Sequence, residues 1–74
     1  MKILVIRLSA IGDIIHVLPS IYLLRKYFPT DYIGWVISRK VSDLLINHPI
    51  INKTFIIEND KSFLEEKWDY VIDY

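Results

Sequence analysis

The opening segment Lys2–Pro19, KILVIRLSAIGDIIHVLP, constrains the fold of this chain more than any other part of the sequence. It begins with the uninterrupted apolar run Ile3–Ile6, which is typical of a strand buried on both faces of a parallel sheet. Small residues follow, and an apolar helical pattern begins at Asp13. The segment therefore predicts a strand, a tight turn and a helix with Asp13 at its N-terminus. Open α/β sheets bind their ligands at this place, beyond the carboxyl end of the strand.

The helical pattern from Asp13 to Phe28 predicts one buried face. Apolar residues recur at the spacing of a helix that packs on one side, at Ile14, Val17, Leu18, Ile21, Leu24 and Phe28. We expect Ile15, Tyr22 and Tyr27 to widen this face. Pro19 lies inside the pattern, where proline removes a backbone hydrogen bond and clashes with the preceding turn. It predicts either a kink or a break, with Pro19 at the first position of the main helix.

The rest of the chain alternates strands with short helices. Strands are predicted at Tyr32–Ser38, Lys53–Ile57 and Tyr70–Tyr74, with a short helix at Val41–Asn47 and a weak helix or turn at Lys61–Lys67. This alternation is typical of βαβ units, so we expect a parallel sheet with strand order 3-2-1-4. The predicted fold class is therefore α/β, with the first strand in the interior of the sheet.

Composition narrows the possible functions. The chain has 74 residues, no net charge and 53% apolar residues, which argues against disorder and against a nucleic-acid-binding surface. It has no cysteine, which excludes disulfides and thiolate metal sites. The apolar run after Met1-Lys2 is too short for a signal peptide or a membrane span, so we expect a cytoplasmic location. A strand pattern is still under way in the final residues, and we therefore expect an N-terminal piece of a longer protein.

The turn after the first strand does not carry a nucleotide-binding motif. The Rossmann fingerprint needs three glycines at fixed spacing so that the backbone can approach a pyrophosphate. The segment LSAIGD has one glycine, followed by an acid that would repel phosphates, and the P-loop pattern is absent. His16 and His48 lack the cysteine or carboxylate spacing of a metal site, so no metal is predicted.

Three side chains near this turn have both a structural and a chemical interpretation. Asp13 either caps the helix, which is the commoner role, or acts as a general base toward a sugar hydroxyl. Arg7 closes the first strand and is either a charge at the sheet edge or a contact for an anionic group. His16 lies one turn along the helix from Asp13 and either faces solvent or belongs to the site. The acidic run Glu58–Asp69 is expected to be a solvated face.

The opening segment resembles that of the bacterial lipopolysaccharide heptosyltransferases, glycosyltransferase family 9, and in particular the heptosyltransferase I type. Those proteins begin with a strand, a Lys or Arg, small residues and then G-D-hydrophobic-hydrophobic-H-x-L-P. The matching residues are Arg7, Ser9, Ala10, Gly12, Asp13, His16, Leu18 and Pro19. Ala10 stands where the family often has a second serine. Trp35-Val36 and Trp68–Asp73 also resemble the family's second and fourth strands.

This resemblance implies the GT-B architecture, in which two Rossmann-like domains face each other. Residues 1–74 would be a partial N-terminal, acceptor-side domain that is cut in the fourth strand, without the C-terminal domain that binds the donor. The family transfers heptose from ADP-heptose to the inner core of lipopolysaccharide, with inversion at the anomeric carbon and with no essential metal or cofactor. Two alternatives stay open, namely a non-enzymatic remnant of such an enzyme and an unrelated α/β binding module.

The same resemblance implies roles for residues of the opening segment. The carboxylate of Asp13 would be the general base. The residues expected to contact the acceptor are Arg7, Ser9, Gly12 and His16. The implied acceptor is Kdo-lipid A, a lipid-linked anionic sugar, which would bring the protein to the cytoplasmic face of the inner membrane. The acidic segment Glu58–Glu66 departs from the basic surface that favours such an acceptor.

Overall fold

A computed structural model of the chain describes residues 1–44 and 48–74. Its regular elements are the strands β1 (Lys2–Ile6), β2 (Tyr32–Ile37), β3 (Lys53–Ile56) and β4 (Tyr70–Asp73), the helix α1 (Ile11–Tyr27), and two 3-10 helices at Arg39–Leu44 and Ser62–Glu65. The α/β class is confirmed, and each predicted strand agrees with the observed one to within one residue at either end.

The four strands form one parallel sheet in the order β3-β2-β1-β4, which confirms the predicted order. Strand β1 lies in the interior, where Ile6 is in register with Val36 of β2 on one side and with Asp73 of β4 on the other. Its central residues are buried because both of its edges and both of its faces are covered. All four carboxyl ends therefore meet at one edge of the sheet.

The sheet separates two apolar clusters. Helix α1 covers one face, and the cluster there contains Ile3, Val5, Ile14, Ile21, Ile33, Trp35, Ile37 and Val41. The opposite face carries a smaller cluster of Leu4, Val36, Phe55 and Phe63, with Trp68 packed against it. The segments after β3 therefore cover this second face of the sheet, as helix α1 covers the first.

The predicted start of α1 at Asp13 is wrong, because the helix begins at Ile11, two residues earlier. Of the two outcomes predicted at Pro19, the break is wrong, because α1 runs continuously through this residue. A break is avoided because Ile14 and Ile21, on either side of Pro19, are both fully buried against the same face of the sheet. The carbonyl that Pro19 leaves without a helical donor belongs to Ile15, which is exposed and can therefore be hydrated.

The buried face of α1 is also narrower than predicted. Ile15, Tyr22 and Tyr27 do not widen it but are exposed, Tyr27 to 72%. At about 100° of rotation per residue, these positions lie roughly 80° to 140° around the helix axis from the fully buried Ile14 and Ile21. A helix packed on one sheet and on no second layer buries only the side that meets the strands.

The two short helices are 3-10 helices and only partly match their predicted ranges. Arg39–Leu44 begins two residues before the helix predicted at Val41–Asn47, and residues 45–47 of that prediction lie outside the described residues. Ser62–Glu65 lies within the predicted Lys61–Lys67 and buries Phe63 in the second cluster.

Candidate functional site

Asp13 lies in the first turn of α1, at the carboxyl edge of the sheet. It is the third helical residue rather than the cap, because Ala10 occupies the N-cap position and has no side-chain acceptor. The Asp13 carboxylate reaches back instead, and its Oδ2 accepts a hydrogen bond of 3.4 Å from the backbone N–H of Ala10. Asp13 thus satisfies a free N–H at the helix start while half of its side chain, 53%, stays exposed.

Arg7 holds the same carboxylate from the end of β1. Its Nη2 forms an ion pair with Oδ2 of Asp13. Its Nη1 donates a 2.8 Å hydrogen bond to the carbonyl of Tyr74, just after β4. The buried Nε has no hydrogen-bond partner among the described residues. One guanidinium therefore joins the ends of two neighbouring strands to the start of α1.

These contacts lower the pKa of Asp13. The hydrogen bond from Arg7 is the largest cause, followed by the N–H of Ala10 and by the positive charge of Arg7, with a smaller contribution from His16. Because each of these stabilises the anion, Asp13 is a carboxylate at neutral pH. It is able to accept a proton, but it is a weaker base than an ordinary aspartate.

A pocket of about 320 Å³ opens beside this ion pair, between the ends of β1 and β4. Its lining residues are Ile6, Arg7, Leu8, Ser9, Asp73 and Tyr74. It is open to solvent and lies at the edge where the sequence places a ligand. Arg7 brings a positive side chain to this lining and Asp73 a negative one, while Nε of Arg7 is buried behind it.

The structure brings together some of the predicted site residues and leaves others apart. Arg7 and Asp13 are in direct contact, and Ser9 shares the pocket with Arg7. Gly12 lies in the first turn of α1 with nothing within 4 Å of the position a Cβ would take. His16 is exposed one turn further along, and its imidazole makes no hydrogen bond within the described residues.

Glu58 is exposed, as predicted for a solvated face, but the sequence analysis did not predict the cluster that it forms at the same edge. The Glu58 carboxylate accepts hydrogen bonds from Ser38 Oγ at 2.8 Å and from the backbone N–H of Arg39 at 2.9 Å. These bonds lower the pKa of Glu58 and tie the end of β3 to the end of β2. The signal was present in the sequence, because Ser38 and Glu58 each follow a strand of the predicted sheet and those strands are neighbours.

Two further observations bear on the kind of site. Among residues 1–44 and 48–74, no three His, Asp or Glu side chains gather as the ligands of a metal ion would. In the same part of the chain, no helix is long and apolar enough to cross a membrane.

Comparison with known proteins gives three relevant similarities. No family model matches the chain. The chain is 36% identical over 66 residues to lipopolysaccharide heptosyltransferase 1 of Campylobacter coli, an alignment that covers 88% of this chain and 19% of that protein. The chain therefore spans about a fifth of the length of this relative.

Two solved structures have the same fold. The first is a glycosyl transferase family 9 protein from Veillonella parvula DSM 2008, with a TM-score of 0.83 and 26% identity over 97% of this chain and 25% of that one. The second is the E. coli heptosyltransferase WaaC, solved with ADP, with a TM-score of 0.78 and 24% identity over 99% of this chain and 27% of that one. These similarities confirm the resemblance found in the sequence: the chain is similar to a lipopolysaccharide heptosyltransferase and to a glycosyl transferase family 9 protein, and it matches a part of their length.

Proposed function

We propose that this chain supplies the acceptor-side part of a glycosyltransferase that transfers heptose from ADP-heptose to the inner core of lipopolysaccharide, with Asp13 as the general base. The observation that carries the proposal is the Asp13 carboxylate, which is ionised, half exposed and placed beside an open pocket at the carboxyl edge of the sheet. The name of the Campylobacter coli relative supports the choice of reaction.

The proposed step is an inverting displacement. The acceptor hydroxyl gives its proton to a carboxylate oxygen of Asp13 while its oxygen forms a bond to the anomeric carbon of the heptose. The bond from that carbon to the phosphate oxygen breaks, and ADP leaves with the electron pair. Because the pKa of Asp13 is lowered, the proton transfers late, when bond formation has already made the hydroxyl acidic. The ADP in the WaaC structure supports a nucleotide-sugar donor.

The proposed acceptor is a lipid-linked anionic sugar such as Kdo-lipid A, which the protein meets at the cytoplasmic face of the inner membrane. Arg7 and Ser9 line the pocket and supply a cation and a hydroxyl. Gly12 leaves open space above the first turn of α1, and the exposed His16 lies one turn away. The donor would bind in a second domain outside residues 1–74, and no cofactor is part of the proposal.

The test is heptosyl transfer by the protein at its natural length, with ADP-heptose and Kdo-lipid A. We expect Asp13→Asn to lower kcat by roughly 10²–10⁴, the usual contribution of a general base, because the amide cannot accept the proton. Stability should change by less than about 1 kcal/mol, since asparagine keeps the size of the side chain and an acceptor oxygen.

The matched control is Asp43→Asn, which removes the same charge from an exposed residue of the 3-10 helix after β2. Its kcat should equal that of the unmodified protein. Full activity in Asp13→Asn would return Asp13 to a purely structural role at the helix start. No transfer by the unmodified protein would favour a binding module or an inactive remnant.

A further inference from the structure

Arg7 has two anchors besides its ion pair: its backbone is bonded to β2, and its guanidinium is held by the 2.8 Å hydrogen bond from Nη1 to the carbonyl of Tyr74. The backbone N–H of Arg7 donates to the carbonyl of Val36 at 3.3 Å, and its own carbonyl accepts from Nε1 of Trp35 at 3.1 Å. Trp35 is fully buried, so these bonds fix the root of the Arg7 side chain. The backbone of Asp13 is held in α1, but its carboxylate is half exposed and its second contact, to the N–H of Ala10, is long at 3.4 Å.

One hydrogen-bond donor of the guanidinium also lacks an acceptor in the part of the chain that the structure describes. Its Nε and Nη2 form a fork that matches the two oxygens of a carboxylate or phosphate. Asp13 meets only Nη2 of this fork, and Nε is buried without a partner among the described residues. The remaining amino group, Nη1, is held by the carbonyl of Tyr74. Arg7 therefore has one strong bidentate position, and its present carboxylate occupies only half of it.

We propose that Asp13 and an anionic group of the acceptor compete for Arg7, so that binding of the acceptor's carboxylate or phosphate to the Nε–Nη2 fork releases the Asp13 carboxylate to face the acceptor hydroxyl. Arg7 is then a positioning residue that couples acceptor binding to the freeing of the base. This inference rests on the proposed function, because it takes Asp13 as the base and the acceptor as an anion.

The physical basis is the difference between a monodentate and a bidentate ion pair. An ion pair with a half-exposed carboxylate is weak, because water competes for both groups. A bidentate contact adds a hydrogen bond from Nε, whereas a monodentate contact leaves this buried N–H without an acceptor. Asp13 has room to turn because half of its side chain is exposed, while the guanidinium of Arg7 keeps its place through the hydrogen bond from Nη1 to the carbonyl of Tyr74. Once free of Arg7, the carboxylate also loses the main cause of its lowered pKa.

The experiment is a titration of the protein at its natural length, labelled with ¹⁵N-arginine, with sodium sulfate at neutral pH. A parallel titration with sodium chloride at matched ionic strength measures the effect of screening, which is then subtracted. The Nε–Hε signal of Arg7, assigned by its loss in Arg7→Lys, should shift with sulfate and saturate. In Asp13→Asn the competing charge is gone, and we expect sulfate to bind roughly threefold to fivefold more tightly, the factor that corresponds to an ion pair of this exposure.

The matched control is Asp73→Asn, which removes the same charge from a residue that lines the same pocket but forms no ion pair with Arg7 within the described residues. It should change the sulfate affinity clearly less than Asp13→Asn does. Equal affinities in Asp13→Asn and the unmodified protein, or equal gains in the two variants, would overturn the competition. An Arg7 signal that does not respond to sulfate beyond the chloride control would overturn it as well.

This outcome is independent of the proposed reaction, because the titration measures no catalysis. A protein that shows the exchange at Arg7 but transfers no heptose would retain the competition and lose the proposed function. A protein that transfers heptose but shows no exchange would retain the function, and Arg7 would then hold Asp13 without releasing it.

Discussion

Arg7 and Asp13 show how much of this site depends on single side chains. Arg7 closes a strand and Asp13 lies in the first turn of the following helix, and their contact fixes the connection between them. The guanidinium is the main cause of the lowered pKa of Asp13, although the carboxylate is exposed. At this scale the site is an arginine that determines the proton affinity of a carboxylate.

A prediction at the residue scale follows from the direction of that pKa. Arg7→Gln should raise the pKa of Asp13 toward its ordinary value, and Arg7→Lys should raise it less, because lysine keeps the positive charge although it loses the guanidinium hydrogen bond that is the largest cause of the lowering. The measurement is a ¹³C NMR titration of the aspartate carboxyls, with the Asp13 signal assigned by its loss in Asp13→Asn. Lys26→Gln, which removes an exposed positive charge from the last turn of α1, is the control and should leave Asp13 unchanged.

The pH dependence of stability follows from the same lowered pKa of Asp13. A carboxylate whose pKa is lowered on folding stabilises the folded state above its unfolded-state pKa and loses that contribution as the pH falls through the folded value. The part of the stability difference between the unmodified protein and Arg7→Gln that comes from Asp13 should therefore be present at neutral pH and disappear in strong acid, whereas the part that comes from the bond of Nη1 to Tyr74 should remain. An unchanged Asp13 titration in Arg7→Gln would contradict both expectations.

At the scale of elements, close packing on the second face of the sheet depends on Gly34 in the middle of β2. A Cβ at this position would lie 2.9 Å from ring atoms of both Phe55 and Trp68. Phe55 is fully buried and its ring also packs edge-on against Phe63, so it has little freedom to withdraw. The absence of a side chain at Gly34 is what allows the two rings to cover β2.

We predict that Gly34→Ala destabilises the fold by about 1–3 kcal/mol, the usual cost of overpacking a well-packed core. Urea unfolding followed by tryptophan fluorescence measures the change, since Trp68 is one of the two displaced rings. Gly12→Ala is the control, because nothing lies within 4 Å of its added methyl group and alanine favours a helix. A neutral Gly34→Ala variant would show that Trp68 moves aside at no cost.

At the scale of the whole molecule, the 74 residues form a sheet whose carboxyl edge carries the candidate base. The chain, however, covers only about a fifth to a quarter of the length of the proteins it resembles. A displacement reaction needs donor and acceptor held together, and this positioning supplies much of the rate. The pocket at the edge of the sheet, of about 320 Å³, has room for a part of one sugar substrate rather than for both substrates.

We therefore predict that residues 1–74 by themselves transfer no heptose. The measurement is a transfer assay with ADP-heptose and Kdo-lipid A on the purified chain, prepared from a host that lacks its own heptosyltransferases. The protein at its natural length, assayed in parallel, is the control. Transfer above background by the 74-residue chain would mean that donor binding also lies within it.

The alternation of apolar runs determined most of this fold by itself. Four strands, their parallel arrangement, the order 3-2-1-4 and the placement of Asp13 near a helix start all follow from local patterns, because burial on both faces of a strand leaves a continuous apolar run. The family could also be predicted from the opening segment, since its turn contains an uncommon order of small, acidic and apolar residues.

Only the tertiary structure decided which of these residues meet. Helix α1 continues through Pro19 because the sheet holds both halves of it, and Ile15 and Tyr22 stay exposed because no second layer covers them. The ion pair of Arg7 with Asp13 and the bond of Glu58 to Ser38 join residues from different elements. Local pattern fixes elements because it reports burial, and it places residues such as Ser38 and Glu58 at strand ends. It does not determine which of the side chains at the sheet edge bond to each other, and those contacts set the charge and the proton affinity of the site.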